Sequence, residues 1–162
     1  MNAPLALSPA ALARIDQAVV KYPPDQKQSA VMAALTIAQD EKGWLSTATM
    51  DFIAQYLEMP PIAVYEVASF YTMYDLKPVG KCKFAVCTNL PCALQGATAA
   101  AAHLKQKLGI GFGETTADGA FTLKEAECLG ACGDAPVVLV NNKRMVCAMT
   151  ADKLDKLIEE MK

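Results

Sequence analysis

Apolar positions recur at helical spacing through the first half of this chain and alternate as in strands through the second. Leu12, Ile15 and Val19 share one helical face after Ser8-Pro9, an N-cap followed by proline at the first helical position. Pro23-Pro24 ends that segment just past Tyr22. Asp25 can cap a second helix, which carries Ala30, Ala33, Ala34, Ile37 and Ala38 inward and stops at Gly43. Ser46 caps a third, running to about Leu57, and Pro60-Pro61 opens a fourth with Val64, Val67, Tyr71 and Tyr74 on one face. Together they predict a helical subdomain over residues 1–80.

The pattern changes near Pro78-Val79-Gly80. Residues 82–87 alternate as a strand, with Cys82, Phe84 and Val86 on one face and Lys83, Ala85 and Cys87 on the other. A helix is predicted from about Cys92 to Leu108, with Leu94, Ala97, Ala101, Leu104 and Leu108 as its buried stripe. Phe121 to Leu123 forms a short strand. Val137 to Val140 and Arg144 to Cys147 then predict a hairpin about Asn141-Asn142, because asparagine tolerates positive φ. Thr150 caps a last helix with Leu154, Leu157 and Ile158 facing inward. The order β-α-β-β-β-α is that of a thioredoxin-like sheet flanked by helices. The fold class is therefore α+β, with a second domain over residues 81–162.

Composition narrows the function classes. At 162 residues and 53% hydrophobic, the chain can bury a sizeable core. A net charge of −2 argues against a nucleic-acid or acidic-membrane binder. No apolar stretch approaches the roughly 20 residues that span a bilayer. The first nine residues lack a basic region and hold two prolines, fitting neither a signal nor a transit peptide. A cytoplasmic location follows as the expectation. Thiols stay reduced there, so six cysteines point to metal instead of disulfides.

The chemistry lies in four of the six. Cys87-x4-Cys92 follows the first strand, and Cys128-x3-Cys132 is threaded with Gly130 and Gly133. Cys82 and Cys87 are also separated by four residues, but on a strand they span roughly 17 Å and face opposite ways. Cys82 and Cys147 therefore read as buried small apolar residues on strands. Structural zinc knuckles usually space their ligands closer to C-x2-C, and a dithiol oxidoreductase needs C-x-x-C at a helix start. Neither spacing is present. The plant-type ferredoxin run C-x4-C-x2-C does not match either. One [2Fe-2S] cluster on Cys87, Cys92, Cys128 and Cys132 would make the protein an electron carrier.

The motifs C-T-N-x-P-C and C-L-G-A-C, with Ala135 to Val138 just after, resemble those of the thioredoxin-like [2Fe-2S] family. More closely, they are similar to the small iron–sulfur subunits of respiratory NADH:quinone oxidoreductase (complex I). Tyr65 to Tyr74 and Gly43 to Ser46 extend that resemblance into the helical half. Cys82 and Cys147 lie outside the family's ligand pattern. The resemblance implies an electron-transfer subunit of an NADH-oxidising enzyme complex, peripheral on the cytoplasmic side of the inner membrane. It implies that a partner subunit binds NADH and FMN, that other peripheral-arm subunits surround it, and that the cluster exchanges single electrons with the flavin. Rival readings are the equivalent subunit of a soluble NAD-linked hydrogenase or formate dehydrogenase, a free-standing ferredoxin, and a zinc-stabilised interaction module.

Several residues near these motifs carry expectations of their own. Thr88, Asn89 and Leu90 can offer backbone donors to sulfur, and Cys92 would open a helix whose positive end favours the reduced state. Gly109 to Gly113 superficially matches a dinucleotide fingerprint, but it follows a helix where the fingerprint must open one, so it reads as a loop. His103 reads as solvated, and Phe70, Tyr71 and Tyr74 as core. A cis bond before Pro136 is left open by sequence.

Overall fold

The computed structural model describes residues 7–162, so the leader reading for the first six residues lies outside it. The chain divides into two compact units, Met1–Pro78 and Val79–Lys162.

The first unit is helical. Helices α1 (Pro9–Val19), α2 (Val31–Lys42), α3 (Thr47–Tyr56) and α4 (Pro61–Phe70) surround a core in which Ile15, Leu35, Leu45, Ile53, Leu57 and Val64 are fully buried. Ser8 and Ser46 cap α1 and α3 through their hydroxyls, which accept from the N–H groups of Ala11 and Thr49. The second helix differs from expectation. Pro24–Ala30 winds as a 3-10 stretch, and the α-helix starts only at Val31. The fourth ends at Phe70, which leaves that ring 77% exposed and Tyr71 partly exposed, so neither is core. Tyr74 is buried as expected, though outside the helix.

A second layer of capping comes from α2. The Glu41 carboxylate accepts from both the N–H and the hydroxyl of Ser8, the latter at 2.6 Å. Lys42, 2.9 Å away, and then Ser8 lower its pKa from 4.5 to about 2. A depressed carboxylate stabilises the fold above its unfolded pKa and loses that effect as pH falls through the folded value. Glu41→Gln is therefore expected to lower the melting temperature at neutral pH. The gap to wild type should close between pH 4.5 and about 2. Thermal melts across that range check this, and a gap that persists at the acid end would refute the assignment.

The second unit is a five-stranded sheet in the order β2-β3-β1-β4-β5. Its strands are β1 (Cys82–Cys87), β2 (Glu114–Thr115), β3 (Phe121–Ala126), β4 (Val138–Val140) and β5 (Arg144–Val146). β1 and β3 run parallel, joined by a helical crossover, and the other pairs are antiparallel. The crossover is α5 (Leu90–Leu94) followed by α6 (Ala97–Leu108), and α7 (Ala151–Glu160) closes the chain. Cys82, Phe84 and Val86 pack with Leu104, Leu123, Leu154, Leu157 and Ile158 in the main core. Asn141 and Asn142 both take positive φ between β4 and β5, as the hairpin requires.

The crossover corrects one expectation. Gly96 sits at φ 95, a conformation open to glycine, and splits the expected helix in two. The break turns Leu94 outward, 79% exposed, while Ala97, Ala101 and Leu104 remain buried. His103 corrects another: its Nε2 lies 2.8 Å from Asp155 of α7, so it is half-buried and in hydrogen-bond contact with that carboxylate. Residues 110–113 form a loop between α6 and β2, as their context predicts.

Candidate metal centre

β1 ends at Cys87, whose N–H donates to Val137 O at 3.1 Å and whose register partner on β3 is Ala126. Both cysteine motifs are thereby anchored at one end of the central strand pair: the first emerges from β1 and the second from β3 two residues past Ala126. Cys87 and Cys92 are each 1% exposed and form a small apolar group with Ala97 and Val137. Leu129, Ala131, Ala135 and Cys147 pack around it. Cys128 and Cys132 are exposed, on the solvent side. Gly130, at φ 73, turns the chain between them, and Cys132 begins a 3-10 turn to Asp134.

Electrostatics tie the Cys92 thiol to the other three cysteines of the two motifs. Burial pushes the Cys92 thiol up to about 11, and the Cys87 thiol pushes it further through a hydrogen bond and its charge. Cys132 and then Cys128 add to the rise at longer range. A buried thiol whose ionisation its neighbouring thiols disfavour is one that a multivalent cation would relieve. All six cysteines are free thiols. Among the described residues, no three His, Cys, Asp or Glu side chains gather around a point suited to a single metal ion. A [2Fe-2S] cluster takes four thiolates, two per iron, and the two motifs supply four thiols. The donor set thus fits a [2Fe-2S] cluster.

The other cysteines divide. Cys82 lies in the main core with its thiol raised to about 11 by burial. Cys147 is not on a strand: β5 ends at Val146, and Cys147 is half-buried against the Cys87–Cys92 group. Sequence had no signal for that proximity.

Two expectations about the first loop change. The Thr88 N–H donates to Ala126 O at 3.0 Å and its hydroxyl to Glu125 at 2.7 Å, so Thr88 offers the sulfurs nothing. Cys92 does not open its helix but lies within a five-residue one that begins at Leu90, too short for an appreciable dipole. The Ala135-Pro136 bond is cis.

The family model for thioredoxin-like [2Fe-2S] ferredoxins matches residues 15–162. The chain belongs to that family. An NADH-quinone oxidoreductase subunit of Rickettsia felis is 46% identical over 143 residues, covering 88% of this chain and 85% of the relative. Mitochondrial NADH dehydrogenase [ubiquinone] flavoprotein 2 of Dictyostelium discoideum is 40% identical over 150 residues, 90% of this chain and 61% of the relative. Among solved structures, the NAD+-reducing [NiFe]-hydrogenase in the H2-reduced state matches with a TM-score of 0.68 at 24% identity. That likeness covers 78% of this chain and 22% of the other, and it shows the fold. No helix among the described residues is long and apolar enough to cross a membrane.

Proposed function

We propose that this chain is the electron-transfer subunit of the NADH-oxidising module of NADH:quinone oxidoreductase. Residues 81–162 form its redox domain, residues 1–80 a helical subdomain, and Cys87, Cys92, Cys128 and Cys132 hold one [2Fe-2S] cluster. When bound, such a cluster supplies one-electron redox chemistry. The chain's residues set the conditions. Cys87 and Cys92 hold their side of the site away from water, while exposed Cys128 and Cys132 leave the other side open to a redox partner. That partner is a subunit carrying FMN and NADH, with other peripheral-arm subunits around it on the cytoplasmic side of the membrane.

The observation that carries this reading is the 46% identity to an NADH-quinone oxidoreductase subunit over 88% of the chain, joined to the influence of Cys87, Cys132 and Cys128 on the Cys92 thiol. The hydrogenase likeness, at 24% identity, gives the rival assignment less weight. Co-purification with the flavin subunit, followed by EPR after NADH addition, tests it. A signal from a single reduced [2Fe-2S] centre in this chain is expected. Zinc in place of iron, or a centre that NADH leaves unreduced in the intact complex, would overturn the proposal.

A further inference from the structure

In the helical unit an open groove of about 410 Å³ runs beside α1 and α2. Arg14 and Lys21 line it from α1 and the turn after it, and Met32, Thr36 and Ile37 from α2, with Met73 alongside. Its frame is fixed by hydrogen bonds. The Gln39 amide donates to Met73 O at 3.0 Å and accepts from Asp75 N–H at 2.7 Å, while the Tyr74 hydroxyl donates to Met32 O at 2.9 Å. The methionines supply an adaptable apolar surface on that fixed backbone.

Charge distinguishes the groove from its surroundings. Residues 1–78 carry five Lys and Arg against eight Asp and Glu, a net −3. Yet two of those five cations line the groove and no carboxylate does. Arg14 reaches Asp40 only at 3.8 Å, with its own side chain 56% exposed, a weak pair. Lys21 enters no ion pair among the described residues. An apolar trough with a cationic edge, on an otherwise acidic unit, selects an occupant with apolar anchors and a carboxylate edge. Both main walls are helical and offer no strand edge to extend, so the fitting element is a helix laid in a groove. Arg14 lies on α1 and Lys21 two residues past its end at Val19, so their backbones stand ~10 Å apart by the rise of an α-helix.

We propose that this groove seats an amphipathic helix of a partner protein, its apolar residues against Met32, Ile37 and Met73 and two carboxylates about seven residues apart facing Arg14 and Lys21. The proposal goes beyond the electron-carrier reading and does not depend on it.

The test replaces Met73 with photoreactive p-benzoylphenylalanine in the full-length protein, expressed in its own host, and sequences the cross-linked peptide. A partner peptide of helical, amphipathic pattern with acidic residues seven apart is expected. Its yield should fall ~10-fold in the combined R14E and K21E variant and fall as salt rises. If that variant does not fold by circular dichroism, R14Q with K21Q and the salt series on wild type give the same reading. A peptide without that pattern, an adduct to a second copy of this chain or to a small molecule, no adduct, or a yield indifferent to charge and salt would overturn the proposal. The cluster's visible absorption, followed in the same samples, reports separately on the redox site.

Discussion

Replacing Cys92 with serine is expected to cost the protein its iron. Cys92 is buried beside Cys87 and is the thiol on which the influence of the other three converges. Serine keeps the shape but offers a harder, far less acidic oxygen where thiolate is needed. Iron content and visible absorption should fall at least ~10-fold, since even loss of a supporting residue around a metal site costs that much in affinity. Cys82→Ser, made in the main core, should leave iron bound and lower stability instead, because it places a hydroxyl among Phe84, Val86 and Leu104. The two variants together separate ligand from core. Equal iron loss in both would mean that folding, and not ligation, was being measured. Full iron in Cys92→Ser would remove that residue from the site.

Phe84→Ala is expected to destabilise the second unit by about 3–5 kcal/mol. The ring is fully buried at the middle of the central strand, 5.4 Å from the ring of Phe121. Its strand neighbours are Leu123 on β3 and Val140 on β4, so the cavity would open between both arms of the sheet. Hydrogen exchange of β1 and β3 amides under increasing urea measures the loss locally. A change below ~1 kcal/mol would place the weight of this core elsewhere. Because Cys87 terminates the same strand, iron should also dissociate faster from this variant.

Much of this architecture is legible in the sequence where the signal is local. Ser8 and Ser46 mark their caps, Pro61 marks the start of α4, and Asn141-Asn142 marks the hairpin; each acts within a few residues of itself. The strand alternation also sorts the cysteines, placing Cys82 in the main core and Cys87 in the smaller group. What sequence misses is of two kinds. One is the break at Gly96: periodicity continues across it, and only the positive φ shows that Leu94 has left the stripe. The other is partnership over distance. Nothing local tells that Glu41 serves Ser8, 33 residues away, or that His103 meets Asp155, 52 away. Cys147 belongs with these, since its place near the motifs depends on how β5 returns to β4.

The parallel register of β1 with β3 has a consequence for how such a site can change over generations. Because Cys87 stands opposite Ala126, the two thiol-bearing loops meet through the ladder, and the chain length between them does not set their spacing. The loops on either side of β2, residues 109–113 and 116–120, can change length at the far end of the crossover while the β1–β3 pairing keeps both cysteine motifs at one end of the sheet. What lineages must hold constant is the pairing of two strand ends; what they are free to rewrite is the path that joins them.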